Sequence, residues 1–172
     1  MEDSSPRLFY ALWPDPDTAR RLGGLQKSVQ GRKTHIEDLH LTLAFLGNQP
    51  GDRLPLFERI LSGLDLPALT LRIDTLGHFP NVGIAWAGMT HAPPALAALQ
   101  EALVQALRAA GVPLRDGGRF RPHITLARAA GRPAAFEGEP IIWQARTLAL
   151  AASEAGGETR YRIVSSRSGV HV

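Results

Sequence analysis

One short motif is written twice. Residues 39–46 read Leu-His-Leu-Thr-Leu-Ala-Phe-Leu, and residues 122–128 read Pro-His-Ile-Thr-Leu-Ala-Arg. His-x-Thr thus occurs at His40/Thr42 and again at His123/Thr125, 83 residues apart in a chain of 172. Side chains alternate across a strand, so residues two apart share a face. In each copy the imidazole and the hydroxyl point one way, while Leu41 and Leu43, or Ile124 and Leu126, point the other. Two such strands brought together make a cleft with two imidazoles and two hydroxyls. That set holds a general acid, a general base and two neutral hydrogen-bond donors, which suits phosphoryl chemistry without a metal.

The repeat extends beyond the motifs. Leu8–Trp13 reads as a strand closed by Pro14, followed by a helix from Asp15 or Asp17 to about Gln30, and then the motif strand 39–46. Strand 82–89, helix 95–110 and motif strand 120–127 repeat that order. Leu96, Leu99, Leu103 and Leu107 form the stripe of the later helix, and Gly111-Val112-Pro113 stops it. Another helix is expected over 54–64 and a strand over 69–76, with a turn at 77–81. Two final strands, 141–152 and 159–165, are expected to be joined across 154–158. No linker separates the halves. The expectation is a single α+β domain over 1–172 with an internal duplication. It has two pseudo-symmetric lobes, each a mostly antiparallel sheet backed by helices, and an active-site groove between them.

Composition narrows the setting. There is no cysteine, which excludes disulfides and thiolate metal sites. No apolar run approaches the ~20 residues of a membrane helix. The first residues lack the pattern of a secretory signal, so a cytoplasmic location is expected. Of 19 basic residues only Lys27 and Lys33 are lysines. Arginine grips phosphate bidentately, and Arg115, Arg119, Arg121 and Arg128 bracket the second motif. No phosphate-binding Gly-Lys-Ser/Thr loop, adenylating lysine or His-Glu-x-x-His pair is present, so neither cofactor nor metal is expected.

At this point the residues resemble a known family. Arg7–Leu12, Leu39–Gly47, Gly77–Pro80 and Phe120–Arg128 are similar to blocks of the 2H phosphoesterases. Within them the chain resembles the RNA 2′,3′-cyclic phosphodiesterases historically called 2′–5′ RNA ligases. The resemblance implies metal-free hydrolysis of a 2′,3′-cyclic phosphate end to a 2′-phosphate, with reversible 2′–5′ joining of RNA ends. It implies His40 and His123 as the acid–base pair, and Thr42, Thr125 and Arg128 as phosphate ligands. It also implies Phe45 as a base-stacking ring. Phe45 falls on the face opposite His40 in a regular strand, so a bulge is required to bring it to the base. Arg121, Tyr10 and Tyr161 complete the expected substrate-binding set. The partners implied are RNA ends, tRNA fragments among them, or small cyclic nucleotides. A monomer with no membrane and no obligatory protein partner is expected. Turnover of a small cyclic nucleotide or 2′–5′ oligonucleotide, and nucleotide binding without turnover, are the competing readings. For hydrolysis, His123 is assigned as base and His40 as acid to the 3′ oxygen, although pseudo-symmetry permits the exchange.

Overall fold

A computed structural model describes residues 6–114, 119–153 and 160–169. The chain runs through β1 (Arg7–Leu12), α1 (Pro16–Gly24), β2 (Arg32–Lys33), β3 (Leu41–Asn48), α2 (Leu54–Gly63), β4 (Leu69–Ile73), β5 (Thr75–Phe79) and β6 (Ile84–Gly88). It continues through α3 (Pro94–Ala109), β7 (Ile124–Arg128), β8 (Ile141–Ala145), β9 (Thr147–Ser153) and β10 (Tyr161–Ser168). Asp15 caps α1, accepting from the Thr18 amide at 2.8 Å and the Thr18 hydroxyl at 2.9 Å, with Pro16 in the first turn. The Arg167 guanidinium on β10 donates to the last carbonyls of α2, at 2.7 Å to Ser62, and ties that helix to the sheet.

The sheet order carries the duplication. Strands lie in the order β10-β9-β1-β3-β7-β6-β5, with β2 beside β7, and every pairing is antiparallel. The two motif strands touch at one ladder position, Leu41 opposite Ile124. These residues occupy equivalent places, each directly after its motif histidine. An antiparallel pair of equivalent residues is what a twofold axis produces. Moving outward, β1 flanks β3 as β6 flanks β7. A second sheet pairs β4 with β8, Leu71 opposite Trp143. The lobe sheets therefore meet edge to edge at one residue pair and diverge from it, which leaves a groove along the junction.

One face of this sheet builds the core. Leu8, Tyr10 and Leu12 of β1, Leu41 of β3 and Ile124 and Leu126 of β7 join Leu22 of α1 and Phe57 and Leu61 of α2. The stripe of α3 completes it, with Leu96, Leu103 and Leu107 fully buried as the heptad-like spacing requires. No helix among the described residues is long and apolar enough to cross a membrane.

Several boundaries differ from the sequence reading. The run 69–76 breaks at Asp74, and the run 141–152 breaks at Arg146; at each break the chain passes from the two-stranded sheet to the larger one. Asp74 marks its break by accepting from the Thr90 amide at 2.7 Å and its hydroxyl at 3.0 Å. Gly77-His78-Phe79 belongs to β5, and the turn is Pro80–Gly83. The first helix ends at Gly24, short of Gln30. The second motif strand begins only at Ile124, because β3 has already turned away from the residues before it. The expected turn 154–158, Arg115 and the Gly117-Gly118 pair lie outside the described residues.

Candidate active site

Each motif histidine stands at the residue before its strand, and each ring is held in the same way. His40 Nδ1 lies 2.6 Å from the carbonyl of Asp38, and His123 Nδ1 lies 2.8 Å from the carbonyl of Arg121. A carbonyl only accepts, so both rings carry their proton on Nδ1 when neutral, and both Nε2 atoms keep a lone pair. The equivalence covers the partner as well, which is in both copies the residue two before the histidine. His40 Nε2 lies 3.0 Å from the Thr42 hydroxyl. The two histidines flank the Leu41–Ile124 pair, each directly before its paired residue, and the charge of His123 is felt at His40.

The two imidazoles have unlike surroundings. Trp13 stacks on His40 at 4.8 Å and 13°, Phe9 is tilted against it at 5.0 Å, and Tyr161 meets it edge-on at 5.2 Å. Burial among these rings pushes the His40 pKa down to about 4, against the opposing pull of the Asp38 carbonyl; the nearby charges of His123 and Arg128 lower it further. His123 has Phe79 edge-on at 5.0 Å and Trp86 at 6.4 Å. Burial lowers its pKa from the ordinary value too, the Arg121 carbonyl opposes this, and the Arg128 charge adds to the lowering. Arg128 thus acts electrostatically on both rings.

Phe45 illustrates how a register defect builds a site. Phe9 pairs with Phe45 and Tyr10 with Ala44, yet Ala11 pairs with Thr42. Leu43 is therefore an extra residue in β3, a bulge that reverses the side-chain parity beyond Thr42. The ring of Phe45 emerges on the histidine side, 70% exposed and 6.1 Å from Phe9. Tyr161, a candidate substrate-binding residue from the sequence, stands edge-on to His40. Arg121 is exposed and offers its carbonyl to His123. Thr125 is half-buried opposite Trp86.

Tyr10 requires a correction. It is fully buried, and its hydroxyl donates to the Phe57 carbonyl at 2.7 Å on the core side of β1. Burial raises its pKa, and it has no access to a substrate. The groove face of β1 carries the neighbouring phase, Phe9, Ala11 and Trp13. Phe9 and Trp13 were not singled out from the sequence, although counting in twos from either would have joined them. Asp38 was also missed. It is buried, and its Oδ2 accepts from the Arg160 amide at 2.8 Å, just ahead of Tyr161. One residue thus holds His40 by its carbonyl and the Tyr161 strand by its carboxylate. Among the described residues no group of three or more His, Cys, Asp or Glu side chains is placed to hold a metal ion.

Comparison with known proteins agrees with this geometry. An RNA 2′,3′-cyclic phosphodiesterase of Escherichia coli strain K12 is 30% identical over 134 residues, covering 76% of each chain. One of Thermus thermophilus is 33% identical over 138 residues, covering 71% of this chain and 68% of its own. The crystal structure of E. coli LigT complexed with 3′-AMP superposes with a TM-score of 0.83 at 27% identity, over 98% of this chain and all of the other. The family model described as the 2′-5′ RNA ligase superfamily matches residues 12–155. The chain belongs to the 2′-5′ RNA ligase superfamily.

Proposed function

We propose that this protein hydrolyses RNA 2′,3′-cyclic phosphate ends to 2′-phosphates, using His40 and His123 as an acid–base pair. The observation that carries the reading is the matched pair of imidazoles, each pinned through Nδ1 to the carbonyl two residues upstream. In the reaction the oxygen of a water bonds to phosphorus, the bond to the ribose 3′ oxygen breaks, and the water's proton passes to one imidazole. The other imidazole delivers a proton to the 3′ oxygen. Each partner contributes about 10²–10⁴-fold. Thr42, Thr125 and Arg128 hold the non-bridging oxygens and offset the charge that grows there. Phe45, 70% exposed, offers its ring face to the terminal base.

The pair functions with one ring protonated. His40 is the more strongly depressed, and the charge of a protonated His123 lowers it further. This supports His40 as base and His123 as acid, the reverse of the assignment made from sequence. Joining of a 5′-hydroxyl to the cyclic phosphate replaces the water by that hydroxyl and forms the 2′–5′ diester. Both histidines come from one chain, so a monomer suffices, and we place it with RNA ends in the cytoplasm. Phosphorus NMR of a dinucleotide 2′,3′-cyclic phosphate incubated with enzyme and chelator tests this. A 2′-phosphate is the expected product. Persistence of the ring, or more than a tenth of the wild-type rate in His40→Ala or His123→Ala, overturns it.

A further inference from the structure

The strand that carries the second motif ends on a strained corner. Trp86 pairs with Thr125 and Ala85 with Ala127, so Leu126 is supernumerary in β7 as Leu43 is in β3, three residues after the motif histidine in each copy. Ala127 then packs in the core, and Arg128 faces away from it, on the side where its charge reaches both histidines. The next residue, Ala129, is exposed and has φ 50°, the one left-handed non-glycine residue among the described residues. An L side chain resists that conformation. It persists only where the surroundings impose it.

The ties come from both sides. The Ala130 amide donates to the Gly83 carbonyl at 2.9 Å, and the Ala130 carbonyl lies 2.7 Å from Nε2 of His78. A carbonyl only accepts, so Nε2 carries the proton. Both backbone groups of residue 130 are thus held by the β5–β6 hairpin and its turn. On the other side Arg32 of β2 pairs with Arg128. Gly31, at φ 117°, sits so close that a Cβ there would meet the Arg128 carbonyl at 2.6 Å. Of these ties only that of His78 is made by a side chain, so it can be removed alone. An arginine that grips a phosphate with two donors gains from a backbone that cannot swing. Resting on the function proposed above, we infer that His78 is a positioning residue. It locks the Ala129 corner through the Ala130 carbonyl and so aims Arg128 at the phosphate.

The test compares His78→Leu, His78→Gln and Ala129→Gly in the whole chain, alone and combined with Arg128→Gln. Leucine lacks the donor, and the glutamine amide restores it. Glycine accepts a left-handed φ, so it frees the corner without threatening the fold. The readouts are steady-state hydrolysis of a dinucleotide 2′,3′-cyclic phosphate and proton NMR titration of the His40 and His123 rings. His78→Leu should raise KM about tenfold, the size of one hydrogen bond to a charged group. It should also move both ring titrations to higher pH, as withdrawal of the Arg128 charge requires. Ala129→Gly should act in the same direction, more weakly, without lowering Tm. His78→Gln should stay near the wild type. In the Arg128→Gln background neither His78→Leu nor Ala129→Gly should add anything. A lower Tm with KM and both titrations unmoved, or effects of equal size with and without Arg128, overturn the inference. The underlying function fails separately, if the wild type leaves the cyclic phosphate intact; the ring titrations still decide the role of His78.

Discussion

Gly77 is the position where a one-carbon change reports most directly on the wall behind His123. It pairs across the sheet with Trp86, and its backbone lies outside the left-handed region. Alanine at such a position ordinarily gains about 0.4–1 kcal/mol by restricting the unfolded chain. Here the added Cβ would stand 2.5 Å from Cη2 of Trp86, and nearer still to Cζ2 and Cε2. The indole lies flat over the glycine, so it must move. Overpacking of this kind costs about 1–3 kcal/mol. For a protein of this size that lowers Tm by about 2–12 °C. The sign of the effect thus depends on a single ring. In a Trp86→Val background Gly77→Ala should revert to neutral or stabilising, a coupling of about 2 kcal/mol between the sites. Urea denaturation of the four proteins of the cycle measures it. If Gly77→Ala costs the same with and without the indole, the clash is not the cause and the packing account is wrong. Because Trp86 stands 6.4 Å from His123, the single variant should also lose activity, which the double variant tests for recovery.

Three further outcomes follow from the geometry. Tyr10→Phe removes a buried hydrogen bond to the Phe57 carbonyl, which keeps its helical partner in α2, and should cost about 0.5–1.5 kcal/mol in denaturant melts while leaving kcat/KM unchanged. With His40 lowered to about 4 and His123 lowered from 6.5, kcat/KM should rise as the first ring loses its proton and fall as the second does. The maximum then lies at mildly acidic pH, and a profile still rising through pH 7 contradicts it; the two limbs belong to the pair rather than to either ring. Arg128→Gln removes a positive charge that lowers both histidines, so both limbs should move to higher pH while KM rises; an unmoved profile removes Arg128 from the site.

How legible each part was depended on whether its signal was local. The stripe of α3 is read from spacing alone, and the helix begins and ends within one residue of the expectation. The breaks at Asp74 and Arg146 were hidden, because apolar alternation continues while the chain changes sheets. The phase of β1 was ambiguous for another reason. Both Leu8-Tyr10-Leu12 and Phe9-Ala11-Trp13 are apolar, and a strand covered on both faces gives no alternation to read. Tyr10 was assigned to the substrate side on that ambiguity, and Phe9 was passed over. Phe45 needed a bulge that no residue type in β3 announces; only the pairing with β1 reveals that Leu43 is supernumerary.

The amino-acid sequence by itself determined the chemistry and the symmetry. Two His-x-Thr copies at half-chain spacing dictate two like strands, and alternation places imidazole and hydroxyl together in each. Tertiary structure decided what surrounds those groups. It joined the strands at Leu41 and Ile124, enclosed His40 in rings drawn from residues 9, 13 and 161, and opened a cleft beside His123. The difference has a physical cause. Strand parity is set by the covalent chain one residue at a time, whereas burial, and with it the proton affinity of each ring, is set by segments that meet only after the chain has folded.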